Sequence, residues 1–187
     1  MQPWQAIYYV WDLWAVSWLI AALWSARTES RPALGRGLFY YIPVIAGGAL
    51  LFYGPARATW IWSEAFGKAL GWTCVSIVAA GLLFCWWARI HLGRLWSGTV
   101  TRKEGHHVVD TGPYRLVRHP IYTGIIVACF ATALEKTTAL TFAGAAIMAL
   151  GWYMKARVEE RFLRDELGAA SYDAYAARVP MLVPFAR

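Results

Sequence analysis

Five closely spaced apolar runs constrain this chain more than any other feature, because they leave too little polar sequence between them to coat a water-facing surface. Ala6 to Trp24, Leu38 to Tyr53 and Ala69 to Trp87 each come near the about 20 residues that a bilayer crossing requires, and each is bounded by charge or by Gly and Pro. Ile121 to Leu134 and Ala139 to Met154 follow, separated only by Glu135, Lys136 and two threonines, the pattern of a tight helical hairpin. At 1.5 Å per residue these last two are about 21 and 24 Å long, short of a hydrocarbon core of about 30 Å. Composition points the same way. Of the 187 residues 59% are hydrophobic and 16% charged, whereas a soluble domain carries about 45–50% apolar and about 25% charged residues. The sequence thus predicts one membrane domain over residues 1–187: all-α, an integral membrane helical bundle of about five transmembrane helices. Ordinary soluble and disordered classes are excluded.

Charge sets the expected orientation. With five spans, Arg27, Arg31, Arg36, Arg89, Arg94, Arg102, Lys103, Arg115 and Arg118 fall in loops on one side, and Lys155, Arg157, Arg161, Arg164, Arg178 and Arg187 fall in the tail. Only Arg57, Lys68 and Lys136 lie opposite. The positive-inside rule then puts the N-terminus outside and the tail in the cytoplasm. No Lys or Arg precedes Arg27, so the basic start of a cleavable leader is missing and the first apolar run is expected to stay. The net charge of +7 is scattered over loops rather than gathered in a run, which suits anionic lipid headgroups and argues against a nucleic-acid partner. Cys74, Cys85 and Cys129 sit inside apolar runs without metal or redox spacing and read as small packing residues.

Two polar segments, 88–120 and 155–187, are longer than connectors need to be and are expected to fold against each other at the cytoplasmic surface. In the first, Asp110-Thr111-Gly112-Pro113 is a turn signal, and Pro120 suits the first position of a helix while holding His119 outside it. His119 therefore stands at a helix mouth, where free N–H groups and Arg118 favour an anionic group. Lipid phosphate would serve as well as a ligand, with Tyr114 and Tyr122 in the interfacial aromatic belt. Gly124 would allow something to approach the helix backbone. In the tail, Arg157 to Gly168 has a helical pattern, and Glu160 with Arg164 and Arg161 with Asp165 form i,i+4 pairs suited to an exposed face. Glu159 fits that account less well, since Phe162 and Leu163 are its neighbours one turn on. Arg89 reads either as a snorkelling anchor or as a fork that grips a carboxylate. His91, His106 and His107 lack a metal spacing, and Asp12 inside the first run has no assigned role.

The run His107-Val108-Val109-Asp110-Thr111-Gly112-Pro113-Tyr114, followed by Arg118-His119-Pro120-Ile121-Tyr122-Thr123-Gly124 and by Glu159-Glu160 with Gly168, Tyr172, Tyr175, Val179-Pro180 and Pro184, resembles the isoprenylcysteine carboxyl methyltransferase family and its phospholipid methyltransferase relatives. The resemblance implies a membrane enzyme that uses S-adenosylmethionine without a Rossmann domain, and no GxGxxG follows a strand pattern here. It implies a cofactor pocket made by His107, Val108, Gly112, Tyr114, Arg118, His119, Pro120, Tyr122 and Gly124 with Glu159 or Glu160. Arg89, Arg157 and Glu159 would serve the reaction centre. Such a cofactor needs a carboxylate for its ammonium, donors for its own carboxylate and aromatic faces near its sulfonium, and these residue types supply them.

The leading expectation is carboxyl O-methylation of a lipophilic, prenylated or lipid-tailed acceptor that enters from the bilayer. A phospholipid amine or a small thiol is the near alternative, and an amine would need a glutamate to take its proton. A sterol-like membrane reductase that uses NADPH shares a similar helix start. A lipid-binding subunit without catalysis would need only the basic loops.

Overall fold

The computed structural model describes residues 1–24, 28–30, 39–54, 64–98, 102–103 and 108–186. Helix α1 (Pro3–Ala22) begins at a proline and leads to a short strand β1 (Thr28–Ser30). Helix α2 (Tyr41–Tyr53) and helix α3 (Glu64–Leu92) follow, with a single 3-10 turn (Gly93–Leu95) after α3. Strand β2 (Arg102–Lys103) pairs antiparallel with β1, Thr28 opposite Lys103 and Ser30 opposite Arg102. A second 3-10 turn (Gly112–Arg115) leads into α4 (Pro120–Lys136), α5 (Ala139–Leu167) and α6 (Ala169–Arg178). The described fold is thus a helical bundle whose α1–α2 and α3–α4 connections are tied by one small ladder, a pairing that segments this short and polar do not announce.

Among the described residues two helices, α3 and α5, are long and apolar enough to cross a membrane. The hairpin between α4 and α5 forms where Glu135, Lys136 and the threonines predict it: Thr137 takes a left-handed conformation (φ 53°), and the Thr138 hydroxyl accepts from the Thr141 amide to cap α5. The expectation of a short second arm is corrected. Helix α5 runs unbroken for 29 residues, about 44 Å at 1.5 Å per residue, so the apolar run and the charged Arg157-to-Gly168 segment are one helix. No glycine or proline stands between Trp152 and Leu167 to stop it, and it ends at Gly168 with φ 95°.

Packing is closest between α3 and α4 and between α2 and α5. Small residues make both contacts possible. Gly81 on α3 faces Gly124 on α4, and Gly47 on α2 faces Gly144 on α5, with backbone from the opposite helix where a Cβ would stand. Around these crossings Val78, Leu82, Cys85, Ile125, Cys129 and Met148 form the core, and the three cysteines are all buried. Leu13, Leu19, Ile42, Leu83 and Ile90 are more than half exposed on the outer faces, as a bundle surrounded by lipid requires. A second, smaller cluster of Tyr172, Tyr175 and Val179 packs with Val108, Leu163 and Ala176 and fixes α6 beside the lower half of α5.

Candidate functional site

Pro120 starts α4, and His119 precedes it at φ −124° and ψ 64°, outside the helical region as the proline demands. The chain end then threads past this corner. The amides of Arg118 and His119 donate to the carbonyls of Pro180 and Met181 at 2.9 and 3.1 Å, and the Thr123 hydroxyl donates to the Leu182 carbonyl at 2.7 Å. Arg118 Nε donates to Glu160 Oε1 at 2.6 Å, while its Nη1 donates to the Ala176 and Val179 carbonyls at 2.9 and 2.6 Å. Glu160 also meets His119 Nε2 at 3.2 Å. These contacts join the mouth of α4, the charged half of α5 and the C-terminal end of α6 into one unit.

One turn of α5 away from its buried neighbours, Glu159 turns to a different task. The Tyr122 hydroxyl donates to Glu159 Oε2 at 2.6 Å. The Tyr122 ring is stacked between His119, at 5.3 Å, and Trp152, at 5.1 Å. Tyr175 donates to the Tyr114 carbonyl at 2.8 Å, and Tyr114 stacks against His91. Burial pushes the phenols of Tyr114, Tyr172 and Tyr175 well above their ordinary range, so they stay neutral.

These groups bound a cavity of about 470 Å³. Its polar end is walled by Tyr114, Arg118, His119, Tyr122, Glu159 and Tyr172. The other end is apolar and runs between Trp11, Trp14 and Trp18 of α1 and Leu92, Leu95 and Trp96 at and after the end of α3. Leu19 lines this arm and is 71% exposed, so the arm reaches a residue of the bundle's apolar surface.

The sequence-based site residues divide. Val108, Tyr114, Arg118, His119, Pro120, Tyr122 and Glu159 line the cavity. Glu160 stands behind it as the partner of Arg118 and His119, not as the exposed i,i+4 partner of Arg164. Arg164 instead pairs with Asp173 of α6 at 2.7 and 2.8 Å. Gly112 supports the site from outside: its φ is 56°, and a Cβ there would collide with the His91 ring. What approaches the backbone at Gly124 is α3, at Gly81 and Cys85, rather than a ligand. Arg157 is exposed and away from the cavity. His107 lies outside the described residues, as do His106, Arg27, Arg31, Arg36, Arg57 and Arg187.

Arg89 does grip oxygens with its planar fork, but they are carbonyls. It is 1% exposed, does not line the cavity, and donates to Ala21 and Trp24 at 2.7 and 2.8 Å and to Gly93 at 2.6 Å. Its guanidinium lies 4.3 Å from the Trp96 ring centre. Arg89 thus ties the end of α1 to the end of α3 and fixes the tryptophan wall. Arg89→Met is expected to cost about 2–3 kcal/mol, the penalty of leaving such acceptors unmatched, read as a lower thermal unfolding midpoint. A raised acceptor KM at unchanged stability would instead make Arg89 an acceptor clamp.

Lys155, Trp152 and the α1 tryptophans line the cavity without having been assigned to it from sequence, and Tyr172 and Tyr175, which the resemblance quotes without giving them a role, line it too. Lys155 carried a signal, its position one helical turn before Glu159. The tryptophans carried none beyond their abundance.

Residues 73–165 match the isoprenylcysteine carboxyl methyltransferase family. Across those residues the chain belongs to this family. Similar proteins include the cobalt-zinc-cadmium resistance protein CzcN of Cupriavidus metallidurans, 27% identical over 73% of this chain and 57% of its own length. Protein-S-isoprenylcysteine O-methyltransferase B of Arabidopsis thaliana is 26% identical over 73% of this chain and 66% of its own. Methanethiol S-methyltransferase 1 of Bradyrhizobium diazoefficiens is 40% identical over 74 residues, 40% of this chain and 25% of its own. The chain thus spans between a quarter and two thirds of the length of these relatives. The family match begins inside α3 and ends inside α5, so it contains the Arg118-to-Gly124 corner and Glu159-Glu160 but not α1, α2 or α6.

Proposed function

We propose that this protein is a membrane-embedded, S-adenosylmethionine-dependent methyltransferase whose acceptor is lipophilic, the leading reaction being carboxyl O-methylation. The observation that carries the reading is a cavity with two unlike ends, in which Glu159 and the His119–Tyr122 corner face an arm walled by tryptophan. The donor set fits the cofactor. Glu159 accepts one hydrogen bond from Tyr122 on Oε2, and its Oε1 has no protein partner among the described residues, which leaves it for an ammonium. The free N–H groups of the first turn of α4, after Pro120, offer donors to a carboxylate. The Tyr114 and Tyr172 rings in the cavity wall offer aromatic surface to a sulfonium.

When bound, the cofactor supplies an activated methyl group: the acceptor oxygen forms the new bond to carbon as the carbon–sulfur bond breaks, its electron pair staying on sulfur. A carboxylate acceptor gives up no proton in this exchange, so the residues need only hold, align and dry the reactants. The segments 88–120 and 155–187 are the proposed cofactor-holding parts. An apolar arm that reaches the exposed Leu19 suits an acceptor with a lipid tail, prenyl or acyl, arriving from surrounding membrane lipids.

The same reading places all of α1 to α5 in the bilayer as five membrane helices, with α2 and α4, about 20 and 26 Å long, not spanning its full depth. Following the basic loops, the N-terminus is outside, the C-terminus is cytoplasmic and the polar end of the cavity faces the cytoplasm. A small thiol is the second acceptor reading, favoured by the local 40% identity to methanethiol S-methyltransferase 1.

Titration of the purified protein with S-adenosylhomocysteine tests the proposal. Saturable binding is expected, and Glu159→Gln should weaken it about tenfold to a hundredfold, the range of a lost charged hydrogen bond. Binding of NADPH in place of S-adenosylhomocysteine would reassign the site to a reductase. Binding of neither would leave a lipid-holding subunit.

A further inference from the structure

Arg157, which the family resemblance assigns to the reaction centre, stands away from the cavity and is left without a task there. Its surroundings supply another. At 3.6 residues per turn, Ala146, Leu150, Tyr153, Arg157, Arg161 and Arg164 fall on one strip along α5, and all six are exposed. The first half of the strip is apolar, with Leu150 and Tyr153 54% and 43% exposed. One helical turn after Tyr153 it becomes basic. Trp152, Lys155 and Glu159, which line the cavity, lie on the opposite face of the helix, so the strip is separate from the cavity.

An exposed face that changes in this way is what a helix shows where it passes from hydrocarbon into the headgroup layer, and tyrosine is a residue favoured at that level. Helix α5 is long and apolar enough to make the passage. The three arginines are not equivalent. Arg164 has a carboxylate, Asp173 of α6, at 2.7 and 2.8 Å. Arg157 and Arg161 have no hydrogen-bond or ion-pair partner among the described residues, and Asp165, one turn beyond Arg161, forms no ion pair with it. The two stand about 6 Å apart along the axis, and the planar fork of each matches phosphate oxygens in pairs.

We propose that Arg157 and Arg161 hold the phosphodiester headgroup of one anionic phospholipid, whose acyl chains lie along Leu150 and Ala146. The occupant is a lipid rather than a soluble phosphate because the cationic and apolar parts of the strip are continuous and a tailless anion would use only one of them. A zwitterionic headgroup would bring its own ammonium towards the arginines and gain less. The inference rests on α5 crossing a bilayer and not on the methyltransferase reading. Its consequence for the cavity is one of depth. Arg157 lies between Lys155 and Glu159 along the helix, level with the junction of the polar end and the apolar arm. A lipid held there sets the polar end among headgroups and the tryptophan-walled arm among acyl chains.

The test titrates the purified protein in detergent with phosphatidylglycerol or phosphatidylcholine and counts bound lipids by native mass spectrometry. The first phosphatidylglycerol should bind about 30-fold more tightly than phosphatidylcholine, the worth of two arginines facing an anionic headgroup. Arg157→Gln combined with Arg161→Gln should abolish that preference and leave phosphatidylcholine binding unchanged. The single variants, each expected to lose about fivefold, repeat the comparison if the pair does not fold. Arg94→Gln combined with Arg115→Gln removes the same net charge from other exposed positions and should keep the preference. Glycerol 3-phosphate, which has the phosphate without the tails, should not displace phosphatidylglycerol at equal concentration. A preference that survives the loss of both Arg157 and Arg161, an equal loss in the charge-matched pair, or displacement by glycerol 3-phosphate would overturn the proposal.

Discussion

Arg118→Ala is expected to remove about 3–5 kcal/mol of folding stability, the cost of leaving one member of a buried ion pair without its partner, and to abolish measurable S-adenosylhomocysteine binding. Arg118 and Glu160 side chains are 12% and 16% exposed, so solvent cannot replace the missing group. Alanine would leave Glu160 with His119 alone and would free the Ala176 and Val179 carbonyls at the end of α6. The chain end is held to the same corner by the Pro180 and Met181 carbonyls. Losing the guanidinium should therefore loosen α6 together with the segment after it, drawing Tyr172 and Tyr175, which α6 carries, away from the cavity. Arg118→Lys keeps the charge but cannot reproduce the fork that reaches three acceptors at once, so it should recover only part of the loss. Thermal unfolding and limited proteolysis beyond residue 168 read both effects. An unfolding midpoint and a cleavage pattern equal to those of the unaltered protein would show that the corner is held by other means.

That corner was legible in the sequence because its signals are local. A proline fixes the residue before it as well as its own helix start, so Arg118-His119-Pro120 announces a helix mouth without knowledge of the rest of the fold. The apolar runs were legible for the same kind of reason, since 18 or so apolar residues have few places to go. The misreadings share a different cause. Glu160 looked like a surface residue because its i+4 neighbour is an arginine, but a tertiary partner at 2.6 Å wins over a solvated pair worth a few tenths of a kcal/mol. Arg89 reads from sequence either as a snorkelling anchor or as a fork; which it is, and which oxygens it holds, depends on where α1 ends in space. Helix α5 seemed to stop where its charges begin, although polarity ends a membrane crossing without ending a helix. Lys155 sits at that changeover and was counted with the tail for that reason.

Gly124→Val is the second large effect, and it separates packing from ligand contact at a residue that the family resemblance had placed in the pocket. A Cβ at Gly124 would collide with the Gly81 carbonyl oxygen and the Cys85 sulfur, and one at Gly81 would stand 2.7 Å from the Gly124 carbonyl. These obstacles are mostly backbone, so no change of rotamer relieves them, and α3 and α4 must move apart. Overpacking of this kind costs about 1–3 kcal/mol or more. The displacement would also be felt at the site, because α4 begins only four residues earlier and carries Tyr122 towards Glu159. Gly48→Ala provides the control: it lies in a helix too, but its Cβ would meet only the Met148 sulfur at 3.7 Å, so the variant should fold at least as well as the original. The expected pattern is a lower unfolding midpoint together with weakened S-adenosylhomocysteine binding for Gly124→Val, and neither for Gly48→Ala. If Gly124→Val kept full thermal stability and lost only ligand affinity, the glycine would face the ligand after all, and the close approach of α3 to α4 would not be what fixes the mouth of the site.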